Sequence, residues 1–275
     1  MKNHKRMISI IIALAIVICM NTPAYALSKK TDVYEKITYH KAEDLEKVAS
    51  NYGLMLKTKE KFVKGVTKEV YVYEKYNKDG TVTESRLMTN SEVAELNKSN
   101  VLRDDESKGK LEITLFVIDD GNSKYKFIGR GHWTGENLVT KDSPAAGDDF
   151  LGLTWGGDGN AFKTDTIISE GKYVNGNNMS MSRSKSDSYR GYVWQFQEDT
   201  ATSYMDYAHG EIHVIPVGQI DNEETNAKLT YIHTYEDVVG TITIGASIEG
   251  FAPAITLSSV SKQWQIEVDI PGLNY

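Results

Sequence analysis

The sequence contains a single cysteine, Cys19, which lies in an apolar segment near the N terminus. If that segment is removed on export, the mature chain has no thiol. Disulfide bonds, thiolate catalysis, cysteine-ligated zinc and thiol redox chemistry are then excluded. The fold must therefore be stabilised by its core and not by covalent cross-links.

Long apolar runs are also scarce, since none after residue 26 is long enough for a transmembrane helix. The apolar run over residues 7–20 follows a basic stretch and precedes a small-x-small sequence that ends at Ala26. This pattern predicts a signal peptide over residues 1–26, cleavage near Ala26 and secretion. A lipoprotein anchored through Cys19 is the alternative, but such an anchor needs a small residue where Ile18 stands.

Positive charge is in deficit. The formal net charge is -7, and removing the three basic residues of the predicted signal peptide leaves -10 for residues 27–275. An acidic balance disfavours nucleic acid as a partner and gives no simple attraction to anionic lipid. The sequence therefore predicts no nucleic-acid partner, and membrane contact is possible but is not predicted from the charge.

Motifs of the common catalytic classes are missing: there is no Gly-x-Ser-x-Gly elbow, no P-loop and no Gly-x-Gly-x-x-Gly fingerprint. His209 and His213 suggest a metal pair, but Gly210 and the β-branched residues that follow favour a strand. Histidines four apart on a strand are about 13 Å from each other, too far to bind one ion. The sequence favours a protein that is not an enzyme and has no cofactor.

Acidic residues near strand ends are the remaining candidates for chemistry. Paired carboxylates for glycoside hydrolysis are candidates at Glu136, Asp148, Asp149, Asp158 and Glu198, but no pattern fixes a working separation. Acidic loops could also offer oxygens to calcium, although the same residues are typical of tight turns. We expect no metal ion; if one is bound, the candidate ligands are Asp148, Asp149 and Asp158.

The run from Lys228 to Ile270 predicts four consecutive strands, because apolar and polar residues alternate with a period of two. Leu229, Tyr231 and His233 share one face of the first of these strands. Five more apolar-alternating stretches lie between residues 111 and 217. Residues 106–275 therefore predict an antiparallel β-sandwich or jelly-roll-like domain, and the fold class is mainly β.

The part before this domain, residues 27–105, predicts a small α+β region. Helical spacing from His40 to Tyr52 indicates a helix. Two β-rich runs around Lys78-Asp79-Gly80 predict a hairpin. Thr89 with Glu92 is a capping box that opens a second short helix.

Tyrosines are abundant, with sixteen in the chain. Four of them surround a serine-rich stretch and are candidates for a sugar- or protein-contact surface: Tyr189, Tyr192, Tyr204 and Tyr207. Tyrosine is also common in β cores and at their rims, which is the competing interpretation.

The stretch from Thr241 to Gln263 carries only Glu249 and Lys262 as charges. Its alternation of Thr or Ser with Ile or Ala is typical of the membrane hairpins of β-pore formers. The same pattern describes a sandwich hairpin with one buried face. We expect the second arrangement, with the hairpin part of the main sheet.

Several motifs together resemble secreted β-rich proteins of Gram-positive bacteria, some of them bacteriocins of the geobacillin kind. They are the signal peptide, the hairpin at Lys78-Asp79-Gly80, Thr89-x-x-Glu92, Trp133-Thr134, Trp155-Gly156-Gly157, Tyr231-x-His233-Thr234-Tyr235 and Trp264-Gln265-Ile266. The resemblance implies a secreted protein with antibacterial action at a cell surface. It transfers no catalytic residue, and the acidic charge differs from that of cationic lytic peptides.

Three functional hypotheses follow. The first is a secreted, surface-acting bacterial effector of the bacteriocin kind. The second is a β-sandwich module that binds a glycan or another cell-envelope component without catalysis. The third is a β-pore-forming toxin.

Overall fold

The chain divides into two units, Met1–Val33 and Tyr34–Tyr275, and the second contains the fold. The computed structural model describes residues 32–51, 53–54, 56–57, 59–78, 80–98, 106–121, 124–134, 147–156, 162–200, 203–217, 224–236, 240–245 and 252–274. The predicted signal peptide lies outside these residues.

Within the described residues, the chain forms two helices, α1 (Ala42–Asn51) and α2 (Asn90–Leu96), and sixteen strands. The strands are β1 (Lys36–His40), β2 (Lys61–Tyr76), β3 (Val82–Leu87), β4 (Glu106–Gly121), β5 (Lys124–Thr134), β6 (Asp149–Gly156), β7 (Phe162–Tyr173), β8 (Asn178–Met179), β9 (Ser182–Asp187), β10 (Gly191–Phe196), β11 (Asp199–Thr200), β12 (Ser203–Pro216), β13 (Glu224–Thr234), β14 (Thr241–Ile244), β15 (Ile255–Ser258) and β16 (Gln263–Asn274). No helix in this part of the chain is long and apolar enough to cross a membrane.

Most of the strands belong to two antiparallel sheets. The larger sheet has nine strands and runs β1-β2-β4-β5-β12-β7-β8, with β3 paired to β2 and β11 paired to β12. The smaller sheet has five strands and runs β16-β13-β6-β10-β9. The prediction of a mainly β, antiparallel, sandwich-like fold is therefore confirmed.

One hydrophobic core joins the two sheets. The smaller sheet contributes alternate residues of β6, β10, β13 and β16 to it. From the larger sheet, β4 contributes the inward-facing residues Leu111, Ile113, Leu115 and Val117.

The four tryptophans all belong to this core or its border. Trp133, Trp155 and Trp194 are buried in it, and Trp264 packs against it. The strands that carry the tryptophans therefore direct their indole rings between the two sheets.

The two sheets approach each other closely where β12 carries Gly210. A Cβ atom at this position would overlap the ring of Trp194 on β10. A Cβ atom at Gly131 on β5 would lie 3.1 Å from the ring of Tyr231 on β13. Glycine at these points lets two large aromatic side chains reach the opposite sheet.

Helix α1 covers part of the outer face of the larger sheet. Leu45 and Ala49 of the helix pack on Phe116 and Ile118 of β4 and on Ile128 of β5. Strand β4 is therefore apolar on both faces, one toward the smaller sheet and one toward the helix.

The predicted α+β region has the local structure expected of it. Strands β2 and β3 form the hairpin, and Thr89 with Glu92 forms the capping box that opens α2. Strand β2 also pairs along its length with β4, from Lys61 opposite Asp119 to Lys75 opposite Glu106. The strands before residue 106 therefore share a sheet with the strands after it.

The hairpin that was expected to be part of the main sheet is instead separate from it. All four strands predicted between Lys228 and Ile270 are present, but β14 and β15 pair only with each other among the described residues. The reason is that both edges of β13 are already occupied, by β16 on one side and β6 on the other. The hairpin therefore cannot pair with the strand that it follows.

Replacing Trp194 by alanine is expected to lower the free energy of unfolding by about 3–5 kcal/mol, the usual cost of removing a large aromatic residue from a core. Urea unfolding followed by circular dichroism measures this change. Tyr189→Ala, in the exposed turn between β9 and β10, is the matched control and should change stability by less than about 0.5 kcal/mol. Equal losses in the two variants would contradict the assignment of Trp194 to the core.

Candidate functional site

A cluster of ionisable side chains lies between the two sheets. Asp149 begins β6, His233 is near the end of β13, and Glu198 lies between β10 and β11. One ligand atom from each of the three falls within 4.8 Å of the others. Glu74 of β2 completes the cluster from the larger sheet.

His233 is the centre of the cluster and is 1% exposed. Its Nδ1 atom lies 3.0 Å from Asp149 Oδ1 and 3.4 Å from Glu198 Oε2. Its Nε2 atom lies 3.3 Å from Glu74 Oε1. The imidazole ring stacks on the indole of Trp264, with ring centroids 4.9 Å apart. Aromatic packing thus fixes the plane of the ring while carboxylates face both nitrogens.

The carboxylates are held in place by further donors. The backbone N–H of Thr234 donates to Asp149 Oδ1 at 3.0 Å, and that of Glu198 donates to Asp149 Oδ2 at 3.2 Å. The Tyr231 hydroxyl donates to Glu198 Oε2. These bonds orient both carboxylates toward the ring of His233.

Strand alternation explains why these residues meet. On β6 and β13, Asp149 and His233 face the space between the sheets, while their neighbours Phe150 and Ile232 pack on the opposite side. Phe150 and Ile232 are opposite each other in the β6–β13 ladder. The register of this pair of strands therefore places the two ionisable residues side by side.

A small pocket leads to the cluster from the larger sheet. Its walls include Glu74, Glu198, Asp199 and the indole of Trp133. The pocket is small, with room for about one water molecule or a single ion.

Burial and mutual repulsion raise the pKa values of two of these carboxylic acids, whereas the contact with His233 lowers that of the third. Burial, together with the charge of Glu198, raises the pKa of Asp149 to about 7. Burial and the same neighbour raise the pKa of Asp199. Burial also acts to raise the pKa of Glu74, but the close contact with the ring of His233 and its charge outweigh burial and lower that pKa.

Burial acts to lower the pKa of His233, but the charges of Asp149 and Glu198 outweigh it, so that pKa is raised. The cluster therefore favours an imidazolium ring among carboxylates.

This arrangement can hold protons or a cation, but it cannot receive a large substrate. Asp149 and Glu198 are 2% and 6% exposed. A sugar ring could not reach both carboxylates, so the geometry does not support glycoside hydrolysis by this pair.

The structure brings together two of the carboxylates singled out from the sequence, Asp149 and Glu198. Asp148 takes a different position, where its side chain accepts a hydrogen bond from Gln195. Glu136 and Asp158 lie outside the described residues. The metal candidates Asp148 and Asp149 thus point to different partners.

Sequence reasoning did not assign His233 or Glu74 to a site. A signal was present, because His233 shares the apolar face of β13 with Leu229 and Tyr231, and both of these are buried. Glu74 has the same parity in β2 as the buried Val72. An ionisable residue in the register of core residues is the pattern that could have identified the site.

The four candidate tyrosines occupy different environments. Tyr189 is in the turn before β10, and Tyr192 packs against the core between the sheets. Tyr204 lines the pocket beside the cluster. The ring of Tyr207 lies 3.8 Å from the guanidinium carbon of Arg130.

His209 and His213 lie on strand β12, as predicted, and both face Glu211. Burial acts to raise the pKa of Glu211, but the contacts with His209 and His213 outweigh burial and lower that pKa to about 2. The two histidines therefore take part in an ion-paired row along β12.

The β14–β15 hairpin covers the outer face of the smaller sheet, opposite the cluster. Its buried residues Ile242, Ile255 and Leu257 pack on Phe150 and Val193. A second hydrophobic core thus lies beneath the hairpin.

The free energy of unfolding is expected to fall between pH 5 and pH 8, in buffer that contains EDTA so that no metal ion occupies the cluster. The pKa of Asp149 is about 7 in the folded protein and about 3.9 when unfolded. The folded state therefore binds more protons in this range, and stability is lost as the pH rises. His233 acts in the same direction, since its raised pKa favours folding at low pH and the gain is lost as the pH rises through that value.

Urea unfolding at several pH values measures this slope. Asp149→Asn should make this slope shallower by about 1.4 kcal/mol per pH unit, because the folded variant no longer binds a proton at this position. Asp148→Asn is the control and should keep the wild-type slope. A wild-type stability that rises from pH 5 to pH 8 would contradict the proton-binding character of the cluster.

Comparisons with known proteins give no family for the chain. No family model matches it, and no curated protein matches it. Among solved structures it is similar to Clostridium perfringens delta-toxin, with 6% sequence identity and a TM-score of 0.26, covering 78% of this chain and 94% of that chain. At this identity and TM-score, the similarity assigns neither a family nor a function.

Proposed function

We propose that this chain is a secreted bacterial protein that acts on the surface of target cells, with the β14–β15 hairpin as its membrane-contacting segment. The observation that carries the proposal is the position of the hairpin. It is a separately paired, amphipathic unit that lies on the sandwich without belonging to either main sheet.

The hairpin has one apolar and one hydroxyl-bearing face. Ile242, Ile255 and Leu257 point inward and are buried. The exposed residues between them are Thr241, Thr243, Thr256 and Ser258. Strands that cross a membrane show this alternation, with apolar residues toward lipid and polar residues away from it.

Side-chain packing attaches the hairpin to the smaller sheet. Gly152 of β6 leaves room for the side chain of Ile255, since a Cβ atom at this position would overlap Ile255. Thr154 donates a hydrogen bond to the carbonyl of Pro253 at 2.8 Å, and Gln263 donates to the carbonyls of Leu257 and Val260 at 3.1 Å. Release of the hairpin would break few hydrogen bonds, and lipid would replace one apolar environment with another.

The length of the segment fits a bilayer. Strands β14 and β15 have four residues each here. If pairing extended along the whole segment on insertion, residues 241–260 would give about ten residues to each strand, and about nine to eleven are needed to cross the hydrocarbon core. A single inserted hairpin would leave its edge groups unpaired, so several copies must assemble. Oligomerisation is therefore part of the proposal.

Secretion and antibacterial action rest on the N-terminal pattern and on the motif resemblance. The net charge of -10 that remains after residue 26 slows approach to an anionic bilayer. A receptor on the target surface, such as a glycan or another envelope component, would supply the first contact. The glycan-binding alternative thus becomes one step of the same proposal.

The double variant Gly152→Cys/Ile255→Cys tests the role of the hairpin. A disulfide between these positions would pin β15 to β6, and Cys19 lies in the predicted signal peptide, so the mature chain offers no competing thiol. We expect wild-type protein and the reduced variant to release dye from loaded liposomes. The oxidised variant should release no more dye than liposomes without protein.

Ile255→Cys alone, with and without dithiothreitol, is the matched control. Equal leakage from the oxidised and reduced double variant would show that the hairpin does not insert. Growth inhibition of indicator bacteria and a glycan array, run with the same proteins, separate the alternatives. A protein that binds a sugar, leaves liposomes intact and kills no cells would favour the non-catalytic binding module.

A further inference from the structure

We infer that Asp149, Glu198 and His233 form a binding site for one divalent transition-metal ion, with Zn²⁺ as the first candidate. The site is separate from the hairpin and does not depend on the proposed function. It also departs from the expectation of no metal that the sequence alone suggested.

The distances between the ligand atoms suit a shared ion. His233 Nδ1 is 3.0 Å from Asp149 Oδ1 and 3.4 Å from Glu198 Oε2. Ligands at about 2.1 Å from a metal are about 3.0 Å apart in an octahedron and about 3.4 Å apart in a tetrahedron. Two of the three separations are therefore those of a coordination shell.

The hydrogen bonding of His233 gives a second, independent indication. Both ring nitrogens are buried, and neither makes a well-aligned hydrogen bond. One N–H group at Nδ1 cannot serve two carboxylates at once, and the facing oxygens already accept from Thr234 and Tyr231. A nitrogen lone pair and carboxylate oxygens that converge on one point are what a cation requires.

Glu74 is placed to orient the ring of His233 without binding the ion itself. Its Oε1 atom lies 3.3 Å from Nε2, the ring nitrogen on the far side of His233. Histidines that bind a metal through one nitrogen usually direct the other N–H to a carboxylate, which fixes the tautomer. Glu74 is itself held by the Tyr76 hydroxyl at 2.6 Å.

Charge also favours a cation. Glu74, Asp149 and Glu198 converge on His233, and among the described residues this ring is the one positive partner that pairs with all three carboxylates. Buried carboxylates in excess of their positive partners are costly unless protons or a metal neutralise them. Without metal, protons fill this role, as the raised pKa of Asp149 indicates.

The donor set selects the class of ion. Imidazole nitrogen suits zinc and other transition metals, and carboxylates complete such sites. Calcium prefers six to eight oxygen ligands, and magnesium keeps several waters, for which this buried site has little room. The pocket beside Glu198 offers a path of entry and space for about one water ligand.

Isothermal titration calorimetry of the EDTA-treated mature protein with ZnCl₂, MnCl₂ and CaCl₂ tests the inference. We expect one Zn²⁺ per chain, weaker Mn²⁺ binding and no Ca²⁺ binding. Proton release should accompany Zn²⁺ binding, since the ligands must lose protons. Zn²⁺ should also raise the melting temperature, because an ion that binds only the folded state stabilises it.

Glu198→Gln is the critical variant, because the oxygen of its amide can still accept the hydrogen bond from the Tyr231 hydroxyl. We expect it to fold, as circular dichroism would show, and to bind Zn²⁺ at least about tenfold more weakly. His213→Gln, in the ion-paired row on β12, is the matched control and should bind like the wild type. His233 resonances in NMR spectra should shift on Zn²⁺ addition.

Three results would overturn the inference: no saturable Zn²⁺ binding, equal binding by Glu198→Gln, or loss of binding in His213→Gln. Any of them would leave the cluster as a proton-holding network. The NMR measurement keeps the test valid if Glu198→Gln fails to fold, since unchanged His233 resonances in wild-type protein with Zn²⁺ would also reject the site.

Discussion

The close packing of the two sheets is the constraint on which the other features depend. Gly210 and Gly131 allow Trp194 and Tyr231 to cross the space between the sheets. The space is therefore filled largely by aromatic rings. In such surroundings a charge interacts strongly with its neighbours, because the local dielectric constant is low. The cluster around His233 owes its shifted pKa values to this packing.

Strands with one buried face could be predicted from the sequence. The alternation in β4, β13 and β16 indicated the sandwich, and the capping box of α2 indicated a helix start. Strand β7 (Phe162–Tyr173) could not be found in the same way, because most of its residues are exposed. Ile167 and Ile168 are adjacent and both exposed, so no period of two appears. Pairing with β12 stabilises this strand, and local sequence does not record such pairing.

The candidate site was predictable only in part. Burial of His233 follows from its position beside Leu229 and Tyr231, whereas its partners come from distant strands. Glu74 and Glu198 are more than thirty residues away in sequence, and only the order of strands in the two sheets brings them near. The hairpin shows the same limit, since alternation indicated its two faces but not the surface that it covers. Long-range pairing decides both features.

Strands β6 and β13 carry the cluster on one face and the seat of the hairpin on the other. A slip of one residue between them would turn His233 outward and bring Ile232 into the cluster. The hairpin would then meet an imidazole where it needs an apolar side chain, and Asp149 would lose its partner. Packing of the hairpin on the smaller sheet therefore requires the correct register of β6 and β13. The apolar strip is hidden only after the sheet beneath it has been assembled in the correct register.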